Sequence, residues 1–264
     1  MLFIHLYDEP NTKHLDVKEL ASFLASYFPK VQINIRDEFL KYHFSRISLE
    51  DLARDLVKIK VKNPNIAVKN FSLEPLYGEI EVERRALKNN LTIKGALYDG
   101  FELSFLYSKF IKRVESNLNH VHICLTLRLL ASYDLEDKRY HIRSIILSYP
   151  SLISIAGIVE GPAKPRDFYI ALRSFGHEPL VWESLKESFK GSYIDYEDER
   201  ITEVVKGYAL QAIFYQWFGE VFCSNKECRL FNAHWQEEII EAQIKSGRLC
   251  DKHLKMLEKF NDRW

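Results

Sequence analysis

The sequence predicts an α+β fold, and three observations carry the prediction. Residues 1–60 alternate strand-like and helix-like patterning twice, residues 119–147 place two strand-like runs around a polar turn, and most apolar runs after residue 165 carry helical spacing. The expected organisation is an N-terminal βαβ-containing subdomain over 1–117, a core over 118–222 that completes a mixed sheet, and a C-terminal helical module over 223–264.

Leu2-Phe3-Ile4-His5-Leu6 opens the chain as a run of strand formers. A helix at 16–28 follows, with Leu20, Phe23, Leu24 and Phe28 on one face, and then a strand at 31–36. Ser48 stands as an N-cap with Asp51 three residues on, close to a capping box, and starts the next helix. Strands joined by helical crossovers imply a partly parallel sheet. Residues 77–97 read as a strand or hairpin, and 98–115 as a helix ending in the basic run Lys109 to Arg113. The turn Tyr133 to Lys138 predicts a hairpin within 119–147; centred near Glu136, it sets His141 opposite Ala131. Pro150 to Pro165 reads as a strand followed by an irregular loop, because of Gly157, Gly161, Pro162 and Pro165. Helices are predicted over 166–174, 180–189 and 199–218. Asn232 is expected to cap a helix over 233–246 that Gly247 ends, and the last helix starts at or near Asp251.

At 264 residues and 47% apolar, the chain can bury one large core or two modest ones. Lys+Arg and Asp+Glu balance at 37 each, so no global field favours a polyanion or an anionic membrane. Cys223 to Trp264 holds eight basic and seven acidic residues, without the one-signed face of a nucleic-acid finger. There is no 18-residue apolar run, and Asp8 and Glu9 stand where a signal peptide would carry its apolar region. No nucleic acid and no membrane is expected as a partner, and the expected location is cytoplasmic. Two methionines with abundant Lys, Glu, Ile and Tyr lean towards a thermophilic source.

Three of the four cysteines cluster with a histidine: Cys223, Cys228, Cys250 and His253 form Cys-x4-Cys, 21 residues, Cys-x2-His. Three soft thiolates and an imidazole in two short-spaced pairs suit one tetrahedral zinc ion in a closed structural site. The competing reading is a disulfide such as Cys223 to Cys250. His234 is a fifth donor that could take the place of His253, although near a helix start it also reads as a capping or surface group. Cys124, alone in an apolar run, reads as a buried core thiol.

The run from Ala212 to Cys223 extends this frame, and the segment 118–264 resembles the archaemetzincins. That family carries HEXXHXXGXXHC, four residues, CXM and a distal CXXC; its three histidines hold a catalytic zinc and its four cysteines a structural one. Gly219 matches the motif glycine, Cys223 and Cys228 the first cysteine pair, Cys250 the third cysteine, and His253 replaces the fourth. The catalytic histidines fall on Ala212, Gln216 and Phe222, the general-base glutamate on Ile213 and the Met-turn methionine on Leu230. The resemblance thus implies a metzincin-like core whose active-site helix is degenerate, since these side chains supply neither a three-histidine site nor a base. Looser likeness covers the opening strand, helix and strand. Pro150 to Ser154, Gly161 to Arg166 and Asn232 to Glu238 resemble a related archaeal family of metallopeptidase relatives, which names no activity.

Two further groups stand out. His120, His122 and His141 do not make a metal site under the hairpin register above, which separates His141 from the other two. Glu160, Lys164 and Arg166, with Asp167 and Tyr169, crowd a Gly/Pro loop and are the candidate ligand-binding residues outside the zinc frame, with His234 as a fourth. Lys206, Tyr208, Gln211 and the group His234, Gln236, Glu237 and Glu238 are further candidates to line the former cleft. The expected function is a catalytically silent, zinc-stabilised metzincin relative binding a peptide or protein partner in that cleft, by strand addition to a sheet edge. The alternative is a hydrolase using a different centre near Glu160 and Arg166.

Overall fold

The computed structural model describes residues 1–43, 48–70, 74–175 and 179–263. A five-stranded mixed sheet runs β2-β1-β4-β8-β7, built from β1 (Phe3–Tyr7), β2 (Gln32–Arg36), β4 (His120–Thr126), β8 (Ser151–Ser154) and β7 (Ile145–Ile146). Its first four strands are parallel and β7 is antiparallel. A second sheet, β3-β5-β6, comprises β3 (Leu97–Asp99), β5 (Leu129–Asp134) and β6 (Arg139–Arg143).

Helix α1 (Val17–Tyr27) starts where the Asp16 carboxylate accepts the Lys18 and Glu19 N–H groups. It buries Leu20 and Leu24 together with α9 (Ile201–Ile213) on one face of the large sheet. The opposite face is covered by α2 (Phe39–His43), α3 (Leu49–Lys58) and α5 (Gly100–Ser108), which pack Phe39, Leu52 and Tyr107 against Tyr7 and Cys124. Cys124 is the buried thiol its sequence context predicts. The Ser48 hydroxyl accepts the Asp51 N–H at 3.4 Å, the cap predicted for α3. Among the described residues, no helix is long and apolar enough to cross a membrane.

The structure corrects the sequence reading in four places. Residues Tyr77–Lys88 form helix α4, and of the strand or hairpin expected over 77–97 only Leu97 is in a strand, at the start of β3 (Leu97–Asp99). Ile80 and Val82 alternate with glutamates, but Ile80 and Glu83 are buried at helical spacing, and Glu81 pairs with Arg84 and Arg85 one turn on. The run from residue 119 is divided at Leu127-Arg128 into strands of different sheets, so the hairpin is β5/β6, and His141 faces Ser132, one residue from the expected partner. After β8 the chain forms α6 (Ile155–Glu160) where an irregular loop was predicted. Gly157 does not break it: a Cβ there would lie 2.1 Å from the Arg143 carbonyl oxygen, so glycine allows α6 to press on the β6 end. The fourth concerns Asn232, which caps nothing; α10 (Gln236–Ile239) starts after Trp235, whose N–H is accepted by the Glu238 carboxylate.

The remaining helices fall near their predicted places: α7 (Arg166–Phe175), α8 (Pro179–Ser188), and α11 (Asp251–Arg263). α9 and α10 each continue as a wider helical turn, over Phe214–Phe218 and Ile240–Ser246, ended by Gly219 and Gly247 in the left-handed region.

Candidate metal centre and the cleft beside it

Gly219, at φ 65°, reverses the chain out of α9 and delivers Cys223 to a tight knuckle. The Cys223 N–H bonds the Leu230 carbonyl at 2.8 Å and the Cys228 N–H bonds the Asn225 carbonyl at 3.0 Å. From the first turn of α11, Cys250 and His253 meet this knuckle, and the four donor atoms lie within 4.8 Å of one another. The Cys223 and Cys250 sulfurs are 3.8 Å apart, and His253 Nδ1 is 3.5 Å from the Cys228 sulfur and 3.1 Å from that of Cys250. A tetrahedron with arms of ~2.3 Å to sulfur has edges of ~3.8 Å between sulfurs, so the spacing fits one ion among four ligands. It does not fit a disulfide; all four cysteines are free thiols.

Burial pushes the Cys228 thiol up to about 12. Burial also raises Cys250, but the His253 backbone N–H and the neighbouring sulfurs outweigh it and the net shift is downward. Thiols of unequal acidity facing one imidazole are a set that a cation would deprotonate. His253 is fully buried, and its Nε2 lies 3.2 Å from the Glu220 carboxylate, which also contacts Lys252. A carboxylate so placed would fix the histidine tautomer and leave Nδ1 free to face a metal ion. His234 is not part of the group: its backbone N–H is held by Glu238 and its side chain lines a different cavity.

The positions matching the catalytic motif sit next to this centre. Ala212 and Ile213 are fully buried in the core, and the Gln216 amide donates to the Leu118 and His120 carbonyls at 3.3 and 2.9 Å. Another face of α9, itself buried, borders a cavity. Tyr208 and Gln211 line a cavity of ≈450 Å³ with Arg143, Phe222, Asn232 and His234, against the β7 edge. Here Gln211 Nε2 donates to the Phe231 carbonyl, whereas Oε1, buried, has no hydrogen-bond partner among the described residues. Lys206 points elsewhere, to Glu19 and Glu203.

The Gly/Pro-loop candidates do not converge. Glu160 accepts a hydrogen bond from Tyr196 at 3.1 Å on the rim of a separate cavity, Lys164 lies over the rings of Phe168 and Tyr193, and Arg166 opens α7 without an ion pair among the described residues.

One group was missed. His141 pairs with Asp137, but the parallel register of β1 and β4 sets His5 beside His122, and His5 Nε2 lies 2.8 Å from His120 Nδ1. His122 bonds Tyr7 through Nδ1 and the Glu115 carbonyl through Nε2, while Arg36 holds the Glu115 carboxylate. His5, Glu115 and His122 carry ligand-type atoms within 4.8 Å, yet these imidazole nitrogens are taken up in hydrogen bonds. Such a meeting depends on strand order, which no local pattern announces.

This cluster gives a pH prediction. Burial lowers His5 to about 3 and His122 to about 4, against an ordinary value of 6.5. The unfolded chain takes up these protons as pH falls through 6.5 and the folded chain does not, so stability is lost from that point downwards. The expected loss is about 2 kcal/mol per histidine by about pH 5. Midpoints of the metal-loaded protein against pH check it: the slope should be shallower in His5→Asn, and an unchanged slope contradicts the account.

Among solved structures, the crystal structure of archaemetzincin from Methanopyrus kandleri is similar over 100% of this chain and 96% of that one, at 10% identity and a TM-score of 0.49. No curated protein matches the chain. The model of the "Probable metallopeptidase family (DUF6775)" matches residues 1–260, and the chain belongs to that family.

Proposed function

We propose that this protein is a pseudoenzyme of its family: one structural zinc ion, held by Cys223, Cys228, Cys250 and His253, anchors a fold whose cleft beside α9 binds a peptide or protein segment. The observation that carries the reading is the fate of the motif face. A zinc peptidase needs two imidazoles one helical turn apart and a carboxylate aimed at the metal-bound water. Ala212 and Ile213 fill core space instead, and Gln216 is spent on backbone carbonyls. Phe222, in the place of the third histidine, offers an exposed ring to the cavity. That cavity combines apolar walls with a few polar side chains, Arg143, Asn232 and His234, the make-up of a ligand-binding pocket. Soft thiolates with one imidazole select zinc over the hard cations.

Metal analysis together with a peptidase assay tests this. The purified protein should contain one zinc per chain and cleave no peptide in a chelator-sensitive way. Cleavage abolished by Gln216→Ala would contradict the reading directly. A second metal equivalent would equally count against it.

A further inference from the structure

The loops just past three neighbouring strands converge on a second, unrelated crevice. Glu38 follows β2, Glu9 follows β1 and Arg128 follows β4, at the carboxyl ends of adjacent parallel strands. Between β1 and β4 the chain reverses its direction of winding: α1 crosses on one face, while α2, α3 and α5 pack on the other. Open parallel sheets bind small ligands at this switch point, where the loops part and leave a crevice.

The crevice, of ≈360 Å³, has an unusual polar lining. Arg128 is 5% exposed, yet among the described residues its guanidinium makes no hydrogen bond and no ion pair; its one specific contact is the face of the Tyr98 ring, at 5.9 Å. A buried guanidinium without a hydrogen-bonding partner is costly, and the fork matches a carboxylate. Glu9 and Glu38 are buried beside it, and burial raises the proton affinity of both. The Glu9 oxygens accept the Asn11 and Leu127 N–H groups, and the Glu38 carboxylate interacts with the Lys41 and Leu40 N–H groups, so among the described residues amide donors and no cation hold both carboxylates. Leu40, Leu87 and Leu91 supply an apolar wall.

We propose that this crevice binds a free α-amino acid with an aliphatic side chain, its carboxylate on Arg128, its ammonium on Glu38 and its side chain against Leu40, Leu87 and Leu91. Lys41 and Lys88 also line the crevice but are exposed, Lys41 being paired with Asp37, whereas the two glutamates are buried beside Arg128; buried carboxylates disfavour a dianion such as phosphate and favour a ligand that brings its own positive charge. A zwitterion meets both demands.

Calorimetric titration of the metal-loaded protein tests it with three probes: L-leucine, 4-methylpentanoate, which lacks the ammonium, and inorganic phosphate. L-leucine should bind, 4-methylpentanoate roughly tenfold or more weakly, and phosphate not at all. Arg128→Met should weaken L-leucine binding by roughly tenfold or more. Leu91→Trp, at an exposed position on the rim, should block it without touching the buried charges. No heat from L-leucine, phosphate binding in its place, or undiminished binding in both variants would overturn the proposal.

Discussion

Chelating the metal, or replacing Cys250 by serine, is expected to release α11 and loosen the segment from Cys223 onwards. A structural zinc of this type contributes on the order of 10 kcal/mol of apparent binding energy, which on the proposed reading would be folding energy for the segment from Cys223 onwards. The dependence follows from what α11 otherwise has: it buries few side chains, chiefly His253 and Leu257. Its remaining anchors lie at the far end: Phe260, stacked on Trp217 at 5.3 Å and edge-on to Phe28 at 5.8 Å, and Asn261, hydrogen-bonded to the Tyr27 carbonyl and to Lys30. Hydrogen exchange should therefore accelerate first in α11 and next in the turn Phe214–Phe218, while the large sheet stays protected. Metal-free, disulfide-linked cysteines in freshly reduced protein would sink the proposal.

Rebuilding the motif should fail. Ala212→His with Ile213→Glu places an imidazole and a carboxylate in a core where both present side chains are fully buried. Overpacking costs typically ~1–3 kcal/mol and an unsatisfied buried polar group ~1–3 kcal/mol more, with a carboxylate at the upper end. The pair should thus remove ~4 kcal/mol or more, a large share of the ~5–15 kcal/mol that holds a domain together. Phe222→His, on the cavity surface, should cost little by comparison. Denaturant titration measures the difference. If all four changes, including Gln216→His, are tolerated and a second metal ion binds, the closed core behind α9 is refuted.

The metal cluster was legible because local spacing alone brings its ligands together: a knuckle joins Cys223 to Cys228 and one helical turn joins Cys250 to His253. The opening strands and α1 were legible for a similar reason, since Asp16 and the Leu20/Leu24 pair act over a few residues. The reading failed at α4, where Glu-Ile-Glu-Val-Glu satisfies a strand pattern and a helix pattern at once, and ion pairs and the burial of Glu83 decided between them. It also missed His5 beside His122 and Arg128 beside Glu9. Those neighbours are set by the order β2-β1-β4, which places residues more than a hundred positions apart on adjacent strands.

Strand β7 is two residues long and forms the outer edge of the large sheet beside the cleft. An edge that short offers an incoming chain only one or two main-chain hydrogen bonds, because alternate groups along a strand point outwards. A partner segment held there would depend on what its side chains place in the cavity, and would exchange quickly when they fit badly. The same shortness is protective. At this edge, unlike the five-residue edge strand β2, other copies of the chain find little template for sheet growth, so an open cleft here does not invite aggregation.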